Sequence, residues 1–552
     1  MRTFLVTRSG FATTHTHMPI TGNDLIEAGW QPGRQFPELL AAARACEERG
    51  ITDKAYILKL LARDFEQEDP LLYPREEPLP FSEAIEATCK LDESNIDAVR
   101  RTMRQLLRTP VIEGGSIMPD ACPAGSAEAT IPVGGAISVK NAILPAAHSA
   151  DICCSMYATL FESSESTASL LDSLTASTRF GYGGRKPEDR VSHAVLDEPV
   201  WDNKFLSGLE EYAAMHLADQ GDGNHFAYLG RLRATRAFVD ALTDAGHEEI
   251  ARALHDRARE RLGQGIDDTD GLVVHTLVTH HGSRGLGAHV YKRGHKAAIK
   301  ETAKIARNIP KAAAWLDTES EIGAEYWEAL EYVGRWTKAN HQSIHQRFIE
   351  RAETEALTEF GNEHNFVWRQ GDNFLHGKGA TPAWKDEEGR PLLGLIPLNM
   401  AAPILVTLGN DNEDFLSFAP HGAGRNQSRT ATMRQFRKEN GSIDDTAIQR
   451  AIDDATRGLD IRWYYGKGDL SESPIGYKPA EQVREQIRQF ELAEIVAEVT
   501  PLGCIMAGDT GPPPWMRKDQ LTPKQKRQIE HRADRRKNRQ RMRHWEDEGP
   551  DE

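Results

Sequence analysis

The sequence predicts a mixed α/β (α+β) fold. One observation is helical periodicity between residues 96 and 106, where apolar side chains recur every three or four positions. Another is the stretch 114–147, rich in Gly, Ala and Pro, in which short β-like runs at 131–133 and 136–139 are separated by loop residues. With 552 residues, the chain is long enough for a large core and for more than one domain.

The first segment, residues 1–80, predicts a small helical accessory domain. Ile20 to Ile26 is followed by Gln31-Pro32-Gly33 and then by a helical pattern from Phe36 to Ala43. This pattern favours a plain helix-loop-helix domain over an RNA-holding module of the kind that it resembles in tRNA nucleotidyltransferases. Glu76-Glu77-Pro78-Leu79-Pro80 breaks both periodicities and predicts a linker, after which a second domain begins.

A helix is predicted next. Ser94-Asn95-Ile96-Asp97 is typical of a helix cap, and Pro110 would close the helix. The apolar residues on its shared face are Ile96, Val99, Met103 and Leu106. This face predicts packing against the strands that follow.

Charge and cysteine content narrow the class of protein. With a net charge of -16, the chain as a whole does not attract nucleic acid, so any binding to a phosphate chain must depend on a local group of basic residues. Six scattered cysteines do not form a disulfide framework and favour a reducing compartment. The longest apolar stretch, 395–409, is too short for a bilayer, and no signal-like run follows Met1. We therefore expect a cytoplasmic protein without membrane contact.

A carboxylate and a thiolate three residues apart indicate a metal site. Asp151 and Cys154 follow a run of small apolar residues, and three histidines further along, His225, His280 and His364, lie in or beside Gly-rich or Asn-containing stretches. A bridging thiolate, a carboxylate and three imidazoles can hold two divalent first-row ions. The alternative is that Cys153 and Cys154 are ordinary buried cysteines.

Several ordered motifs resemble the RNA-splicing ligase RtcB family over residues 91–508. They are Ile117-Met118-Pro119-Asp120, Ile131-Pro132-Val133-Gly134-Gly135, Asp151-Ile152-Cys153-Cys154, Gly223-Asn224-His225-Phe226, His280-His281-Gly282-Ser283-Arg284-Gly285-Leu286-Gly287, His376-Gly377-Lys378-Gly379-Ala380-Thr381, and His421-Gly422-Ala423-Gly424-Arg425 with Ser428-Arg429. The resemblance implies a catalytic domain in which central packed sheets are surrounded by helices around a metal cleft.

The resemblance also implies the chemistry of the site. The family uses GTP and manganese to join an RNA 2′,3′-cyclic phosphate or 3′-phosphate end to a 5′-hydroxyl end. Asp151, Cys154 and His225 would hold one Mn²⁺ ion, and Cys154, His280 and His364 the other. His421 would be the nucleophile that becomes guanylated. A neutral imidazole is a competent nucleophile for phosphorus at pH 7, and Gly422 and Gly424 after His421 let a phosphate approach the backbone closely.

Further residues are expected to contact the nucleotide or the RNA. Expected on the nucleotide are Asn224, Asn365, Gly422, Ala423, Gly424, Arg425, Tyr477, Tyr228 and Met506. Expected on the RNA are Asp120, Cys122, Arg284 and Arg429. The arginines suit paired hydrogen bonds to phosphate, and the asparagines could instead orient the ligand histidines.

Three positions depart from the family pattern. Cys122 replaces a histidine near the RNA ends, Tyr228 replaces a glutamate, and Met506 stands where a lysine is expected. The last two positions are associated with the guanine base, and each lost charge-assisted contact is worth roughly 1.5–3 kcal/mol. Guanine selectivity is therefore expected to be weaker, and another NTP could serve.

Two function classes remain open on the sequence. The first is a working RNA ligase in repair or splicing, with tRNA or ribosomal RNA as substrate and a translation-rescue factor as a possible partner, as the resemblance implies. The alternative is an RNA-end-binding or nucleotidyl-transferring relative that does not complete ligation.

The last segment, residues 509–552, predicts a linker and a basic helix. Gly511-Pro512-Pro513-Pro514 is typical of a stiff extended linker, and Thr522-Pro523 of a helix start. Ten lysines and arginines lie between 524 and 543, with too few apolar residues to bury a face. Such a helix either binds RNA or stays solvated.

Overall fold

Helices and strands are interspersed in the computed structural model, which describes residues 19–30, 35–65, 71–125, 127–181, 183–263, 265–267, 271–425, 429–438 and 443–509. The predicted mixed α/β class is confirmed by thirteen helices and seventeen strands in these ranges. The chain divides into two compact units, Met1–Pro74 with Glu301–Ile309, and Arg75–Lys300 with Pro310–Glu552. The predicted linker and basic helix beyond residue 509 lie outside the described residues.

The smaller unit contains three helices, α1 (Gly22–Glu27), α2 (Phe36–Glu48) and α3 (Lys54–Asp64). A capping box starts α1, because the Thr21 hydroxyl accepts from the Asp24 backbone and the Asp24 carboxylate accepts from the Thr21 backbone. Apolar residues of these helices and the two residues Ile20 and Trp30 beside α1 form one small core, which also contains Leu25, Leu39, Ala43, Ile57 and Leu61.

Two main sheets organise the larger unit. One has five strands in the order β1 (Ser82–Glu83), β2 (Ile112–Cys122), β3 (Val133–Lys140), β11 (Asn373–Lys378) and β10 (Phe366–Gln370). The other has eight, β13 (Leu393–Pro397), β14 (Ile404–Gly409), β17 (Ala493–Met506), β6 (Phe226–Ala234), β7 (Leu272–His281), β5 (Ser155–Phe161) and β9 (Ala356–Glu363), with β16 (Asp460–Trp463) also paired to β17. Two short pairs join β4 (Ala142–Ile143) to β8 (Leu316–Asp317) and β12 (Ala380–Pro382) to β15 (Phe418–Pro420).

Ten helices belong wholly or largely to the larger unit. They are α4 (Lys90–Leu106), α5 (Thr167–Ser177), α6 (Glu210–Met215), α7 (Arg236–Asp244), α8 (Glu248–Leu262), α9 (Arg284–Ile305), α10 (Glu321–Arg351), α11 (Arg429–Arg434), α12 (Asp445–Ala455) and α13 (Ala480–Gln489). In the described part of the chain, no helix is both long and apolar enough to cross a membrane.

Both faces of the eight-stranded sheet are covered, and successive residues of a strand serve opposite faces. Tyr228 and Val278 pack in the core that includes α7 and α8, whereas Leu229 and Leu277 pack in the core that includes α5. This alternation follows from the two-residue period of a strand. The backbone of the sheet is therefore held rigidly, and the loops at its ends can present functional side chains.

The first helix of the larger unit confirms the predicted apolar face and corrects the predicted start. Ile96, Val99, Met103 and Leu106 are all buried. However, α4 begins at Lys90 with Cys89 as its cap residue, so Ser94 lies inside the helix rather than at its end. Asp92, in the first turn, supports this earlier start by accepting from the Thr88 hydroxyl at 2.7 Å.

Candidate active site

The predicted metal ligands gather at one end of the eight-stranded sheet. Cys154 and His225 directly precede β5 and β6, His364 directly follows β9, and His280 is the next-to-last residue of β7. In the antiparallel register, Ser155 pairs with both His281 and Glu363, and Phe226 pairs with His280. The starts of β5 and β6 therefore lie beside the ends of β7 and β9, which brings residues from four distant segments together.

Two donor triads share Cys154. Its sulfur lies 3.2 Å from His280 Nε2 and 3.6 Å from His225 Nε2. His280 Nε2 is 3.1 Å from His364 Nε2, and His225 Nε2 is 2.9 Å from Asp151 Oδ2. The potential ligand atoms of Cys154, His280 and His364, and those of Asp151, Cys154 and His225, all lie within 4.8 Å of one another. This arrangement fits two cations with the thiolate between them.

The first triad already presents lone pairs to a cation. The Nδ1 of His280 donates to the Asn224 backbone carbonyl at 3.1 Å, which leaves the lone pair on Nε2. Burial lowers the pKa of His280 to about 3 and that of His364 well below its ordinary value, so both rings are neutral at pH 7. Burial raises the pKa of the Cys154 thiol, so its thiolate needs a cation nearby.

The second triad is restrained by an arginine. Arg284 Nη1 lies 3.2 Å from His225 Nδ1 and can only donate, so the ring holds its own proton on Nε2, facing Asp151. Burial raises the pKa of Asp151, but His225 and Arg284 outweigh it and lower the pKa to about 2. A cation at His225 Nε2 would require this proton to move to Nδ1, where two donors would then face each other and the Arg284 guanidinium would be displaced.

Cys153 faces away from the metal ligands. Its φ of +56° turns the backbone, and its sulfur packs in the core beside α9 and α10. The Cys153 N–H donates to the Asn365 carbonyl at 2.9 Å, which fixes this turn. Two adjacent cysteines thus have different surroundings, one in the apolar core and one among the metal donors.

His421 lies against the first triad. Its ring centroid is 4.9 Å from that of His364, and its Nδ1 donates to Asp120 Oδ2 at 2.5 Å. Asp120, predicted to contact RNA, is placed beneath His421 with a fully buried side chain. The carboxylate fixes the Nδ1–H tautomer, so Nε2 carries the lone pair.

The loop after His421 needs glycine for close packing. Gly424 has φ +70°, and a Cβ there would lie 2.1 Å from the Asp120 carbonyl oxygen. Asn365 also supports this region, because its side-chain oxygen accepts from Gly379 N at 2.7 Å. A Cβ on Gly379 would approach His421 Cε1 to 3.0 Å, so small residues surround the imidazole.

One cavity joins these groups to an apolar end. Near His280 and His421 it is lined by Asn224, Asn365, Lys378, Gly422, Ala423 and Cys122. Its apolar end is lined by Tyr228, Met400, Ile404 and Met506. The ring of Phe226 joins this end to the polar groups, with centroids 5.2 Å from His280 and 6.3 Å from Tyr228. A ligand with a charged part and a flat apolar part, such as a nucleotide, fits this division.

Tyr228 and Met506, the two positions that differ from the family pattern near the expected guanine base, provide neither a carboxylate nor an ammonium group. The Tyr228 hydroxyl donates to the Val499 carbonyl at 2.9 Å, and its side chain is almost fully buried. Met506 pairs with Phe226 across β17 and β6 and is also buried. These residues contribute an aromatic ring and a thioether to the cavity wall.

Arg425 and Tyr477 form part of one wall, together with Glu472. The Arg425 guanidinium donates to Glu472 Oε2 at 2.7 Å and lies 4.7 Å from the centre of the Tyr477 ring. The Tyr477 hydroxyl donates to the same carboxylate oxygen at 2.7 Å. Arg425 is thus held beside the tyrosine rather than extended toward His421, and the side chain of Arg429 lies outside the described part of the structure.

Two residues were missed by sequence reasoning. Lys378 lines the cavity, and burial lowers its pKa to about 8 while it donates to the Ile131 carbonyl at 3.3 Å. Its place inside a Gly-Lys-Gly motif was the available signal. No motif pointed to Glu472. Its partners, Arg425 and Tyr477, were both expected to contact the nucleotide, so neither was expected to bind a carboxylate of the chain.

The motif-bearing part of the chain matches a described family. The family model for "tRNA-splicing ligase RtcB" matches residues 102–507. RNA-splicing ligase RtcB of Escherichia coli K12 is 23% identical over 399 residues, which cover 68% of this chain and 86% of that protein. The tRNA-splicing ligase RtcB of Thermococcus kodakarensis is 25% identical over 362 residues, covering 58% and 66%. RNA-splicing ligase RtcB of Mycobacterium bovis is 28% identical over 350 residues, covering 58% and 74%.

Proposed function

This chain belongs to the RtcB family, and from that premise we propose that it is an RNA ligase that joins 2′,3′-cyclic phosphate or 3′-phosphate ends to 5′-hydroxyl ends through a His421 guanylate. GTP is the proposed nucleotide, although the cavity leaves room for another NTP. From the family resemblance we further propose tRNA or ribosomal RNA as the substrate and a translation-rescue factor as a partner.

The observation that carries the proposal is the pairing of His421 with Asp120. Because Nδ1 donates to Asp120, the Nε2 lone pair is available for attack on the α-phosphorus of GTP. A bond forms between Nε2 and phosphorus, the bond to the bridging oxygen breaks, and pyrophosphate leaves. The Asp120 carboxylate stabilises the positive charge that develops on the ring, as a buried acid does for other catalytic imidazoles.

Two further displacements would complete ligation. An oxygen of the RNA 3′-phosphate attacks the guanylate phosphorus and regenerates the His421 imidazole. The RNA 5′-hydroxyl then attacks the activated RNA phosphorus, a new phosphodiester forms, and GMP leaves as the hydroxyl proton is lost. A 2′,3′-cyclic phosphate must first be opened by water to give the 3′-phosphate.

Two manganese ions fit the donor set. Asp151, Cys154 and His225 would hold one, and Cys154, His280 and His364 the other. When bound, these ions neutralise charge on the transferring phosphoryl group. Displaced from His225, the Arg284 guanidinium would be free to bind an RNA phosphate with paired donors.

The alternative is a relative that binds RNA ends or transfers a nucleotide without completing ligation. Tyr228 and Met506 in the cavity wall support this alternative, because a changed base site indicates a changed nucleotide or RNA substrate. The phosphoryl chemistry at His421 is common to ligation and nucleotidyl transfer, so the two functions differ in the last displacement.

A covalent adduct tests the proposal. The protein is incubated with Mn²⁺ and each α-³²P-labelled NTP, and the label that survives denaturation is mapped by mass spectrometry. We expect an acid-labile nucleotide on His421, none in His421→Asn, and a slower reaction in Asp120→Asn. Supplying RNA with 3′-phosphate and 5′-hydroxyl ends then separates ligation from nucleotidyl transfer. Absence of any adduct on His421 would contradict both functions that rely on it.

A further inference from the structure

Tyr464 and Tyr465 form an exposed aromatic pair beside the candidate active site. Their relative exposures are 41% and 47%, which is high for large aromatic side chains. Their rings contact edge to face, with centroids 5.5 Å apart, and Tyr464 also lies 5.4 Å from buried Phe180. The pair is thus a supported surface rather than two separate side chains.

Strand register places this pair at the sheet end that carries the metal donors. Trp463, the last residue of β16, pairs with Met506 of β17, and Met506 pairs with Phe226, which follows His225. Since neighbouring strands are about 4.8 Å apart, β16 lies roughly 10 Å from β6, the strand that directly follows His225. Tyr464 and Tyr465 continue along the chain segment that ends β17. Their backbone N–H groups donate to the carbonyls of Met506 and Ala507 at 2.8 and 3.1 Å.

A second path of contacts leads from the pair to Arg284. The Tyr465 hydroxyl donates to the Phe180 carbonyl at 3.1 Å, and Gly181 N donates to the Gly221 carbonyl at 2.7 Å. Both glycines have φ between +85° and +90°, and side chains occupy the space where a Cβ would lie. At Gly181 this is the Tyr465 hydroxyl, and at Gly221 it is the Arg284 guanidinium. The Tyr465 side chain and the Arg284 side chain, which contacts His225, are therefore packed against the two hydrogen-bonded loops that contain Gly181 and Gly221.

We propose that Tyr464 and Tyr465 are a stacking platform for unpaired bases of the RNA strand that carries the 3′-phosphate. This inference rests on the proposed function, which brings that phosphate to His421. The nucleotides behind the phosphate must leave the cleft over the neighbouring surface, and the exposed tyrosine pair lies at the same end of the sheet as His225. Every base has a flat π face, so an aromatic surface binds a single strand without reading its sequence. A sequence-tolerant contact suits a ligase that must accept different RNA ends.

RNA binding by a double variant tests the platform. A short single-stranded RNA with a 3′-phosphate and a fluorophore at its other end is titrated into the full chain without NTP, and anisotropy gives Kd. Stacking on an aromatic side chain is worth about 1–3 kcal/mol per base, so Tyr464→Ala/Tyr465→Ala should raise Kd about 5-fold or more. Tyr56→Ala, which removes another tyrosine of 52% exposure, should leave Kd unchanged.

An abasic RNA isolates stacking from charge. The same strand is made with abasic sugars at the three nucleotides nearest its 3′-phosphate. The double variant and the unaltered chain should bind this RNA equally, because the removed bases are those that the tyrosines would contact. Formation of the His421 adduct without RNA, measured on the same preparations, reports whether the variant is folded.

The outcomes separate this inference from the proposed function. Equal Kd values of variant and unaltered chain for the intact RNA would overturn the platform, as would no measurable RNA binding by the unaltered chain. An unchanged Kd together with a changed oligomeric state would instead show a protein contact at the tyrosines. A failure of the unaltered chain to form the His421 adduct would contradict the proposed function, whatever the RNA titration shows.

Discussion

Cys153 and Cys154 are adjacent, but only the second faces the other candidate metal ligands. Cys154→Ala removes a donor from both triads, so we expect loss of metal and of the nucleotide adduct on His421. Cys153→Ala shortens a side chain in the apolar core and should cost some stability but leave metal binding largely intact. Metal content by mass spectrometry and adduct formation measure both variants.

The matched pair makes this prediction specific. Both variants remove one buried thiol from consecutive positions, so a general effect of cysteine loss would appear in both. Full metal occupancy in Cys154→Ala would show that the bridging assignment is wrong.

We propose that side chains at the apolar end of the cavity decide which nucleotide base is bound. The Tyr228 hydroxyl is already bonded to Val499, and Met506 has no polar hydrogen to donate. Discrimination between GTP and ATP in forming the adduct should therefore be weaker than the ~10⁴-fold that a site built to hydrogen-bond its substrate reaches. Parallel adduct rates with the two nucleotides measure it.

A paired control tests whether these two residues are responsible. Tyr228→Glu together with Met506→Lys restores the charges expected in the family and should raise the preference for GTP over that of the unaltered chain. Exclusive guanylylation of the unaltered chain would mean that other groups of the cavity read the base.

At the residue scale, the sequence indicated which chemical groups gather but not what restrains them. The resemblance to the family implied that His225, His280 and His364 group with Cys154, and the structure brings them together. The Arg284 contact to His225, and the placement of Asp120 beneath His421, depend on distances between segments that are remote in sequence. No local pattern encodes such distances.

Among the elements, β5 and β9 are held together by close backbone packing at Gly361. A Cβ on this residue would lie 2.4 Å from the Met156 carbonyl oxygen and 3.0 Å from the Tyr157 ring. Gly361→Ala must push the two strands apart, and we expect a loss of about 1–3 kcal/mol in the free energy of unfolding. Urea unfolding followed by circular dichroism measures the change.

A glycine with room around it provides the control. At Gly114 the nearest heavy atom to an added Cβ is Leu416 Cδ2 at 3.6 Å, an ordinary contact. Gly114→Ala should therefore change stability little. If both variants were equally destabilised, the reason would be backbone preference rather than the spacing of β5 and β9.

Elements were predictable where their pattern is local. The apolar face of α4 and the β-like run 136–139, which lies in β3, follow from periodicity alone. The run 131–133 was wrong as a separate strand, because only Val133 belongs to a strand and that strand is again β3. The partner of β3 on its second side is β11, more than 230 residues later, and periodicity carries no information on such a pair. The start of α4 was misplaced because Ser94 has a good capping side chain but lies mid-helix.

Across the whole molecule, buried histidines predict acid sensitivity. Burial lowers the pKa of His148 to about 4 and the pKa values of His345 and His376 to about 3. In the unfolded chain these rings titrate at about 6.5, so below that pH the unfolded state binds protons that the folded state does not. Stability is thus complete above pH 6.5 and falls as pH decreases, by up to about 1.4 kcal/mol per pH unit for each ring.

Urea unfolding at pH 7.5 and 5.5 in the presence of a chelator measures this slope. His376→Gln, which removes one of the titrating rings, should be less stable at pH 7.5 but should lose less stability between the two pH values. A variant with the same slope as the unaltered chain would show that His376 does not contribute to it.

The basic segment at the C-terminal end is predicted to supply long-range attraction for RNA. Each phosphate that it neutralises adds about 0.7–0.9 to the slope of log affinity against log salt concentration. Deleting Gln520 to Glu552 should weaken RNA binding and flatten this slope, while metal content and the His421 adduct stay as they were. An unchanged affinity and slope would show that the segment is solvated or binds a protein.

The position of β17 has a consequence for biosynthesis. This strand is the last described strand of the chain, yet it lies inside the eight-stranded sheet, between β14 and β6. A ribosome must therefore translate past Met506 before the sheet can close, and the many contacts between distant segments predict slow folding. We therefore expect a chain interrupted before β17 to lack the part of the cavity wall that Cys504 and Met506 supply.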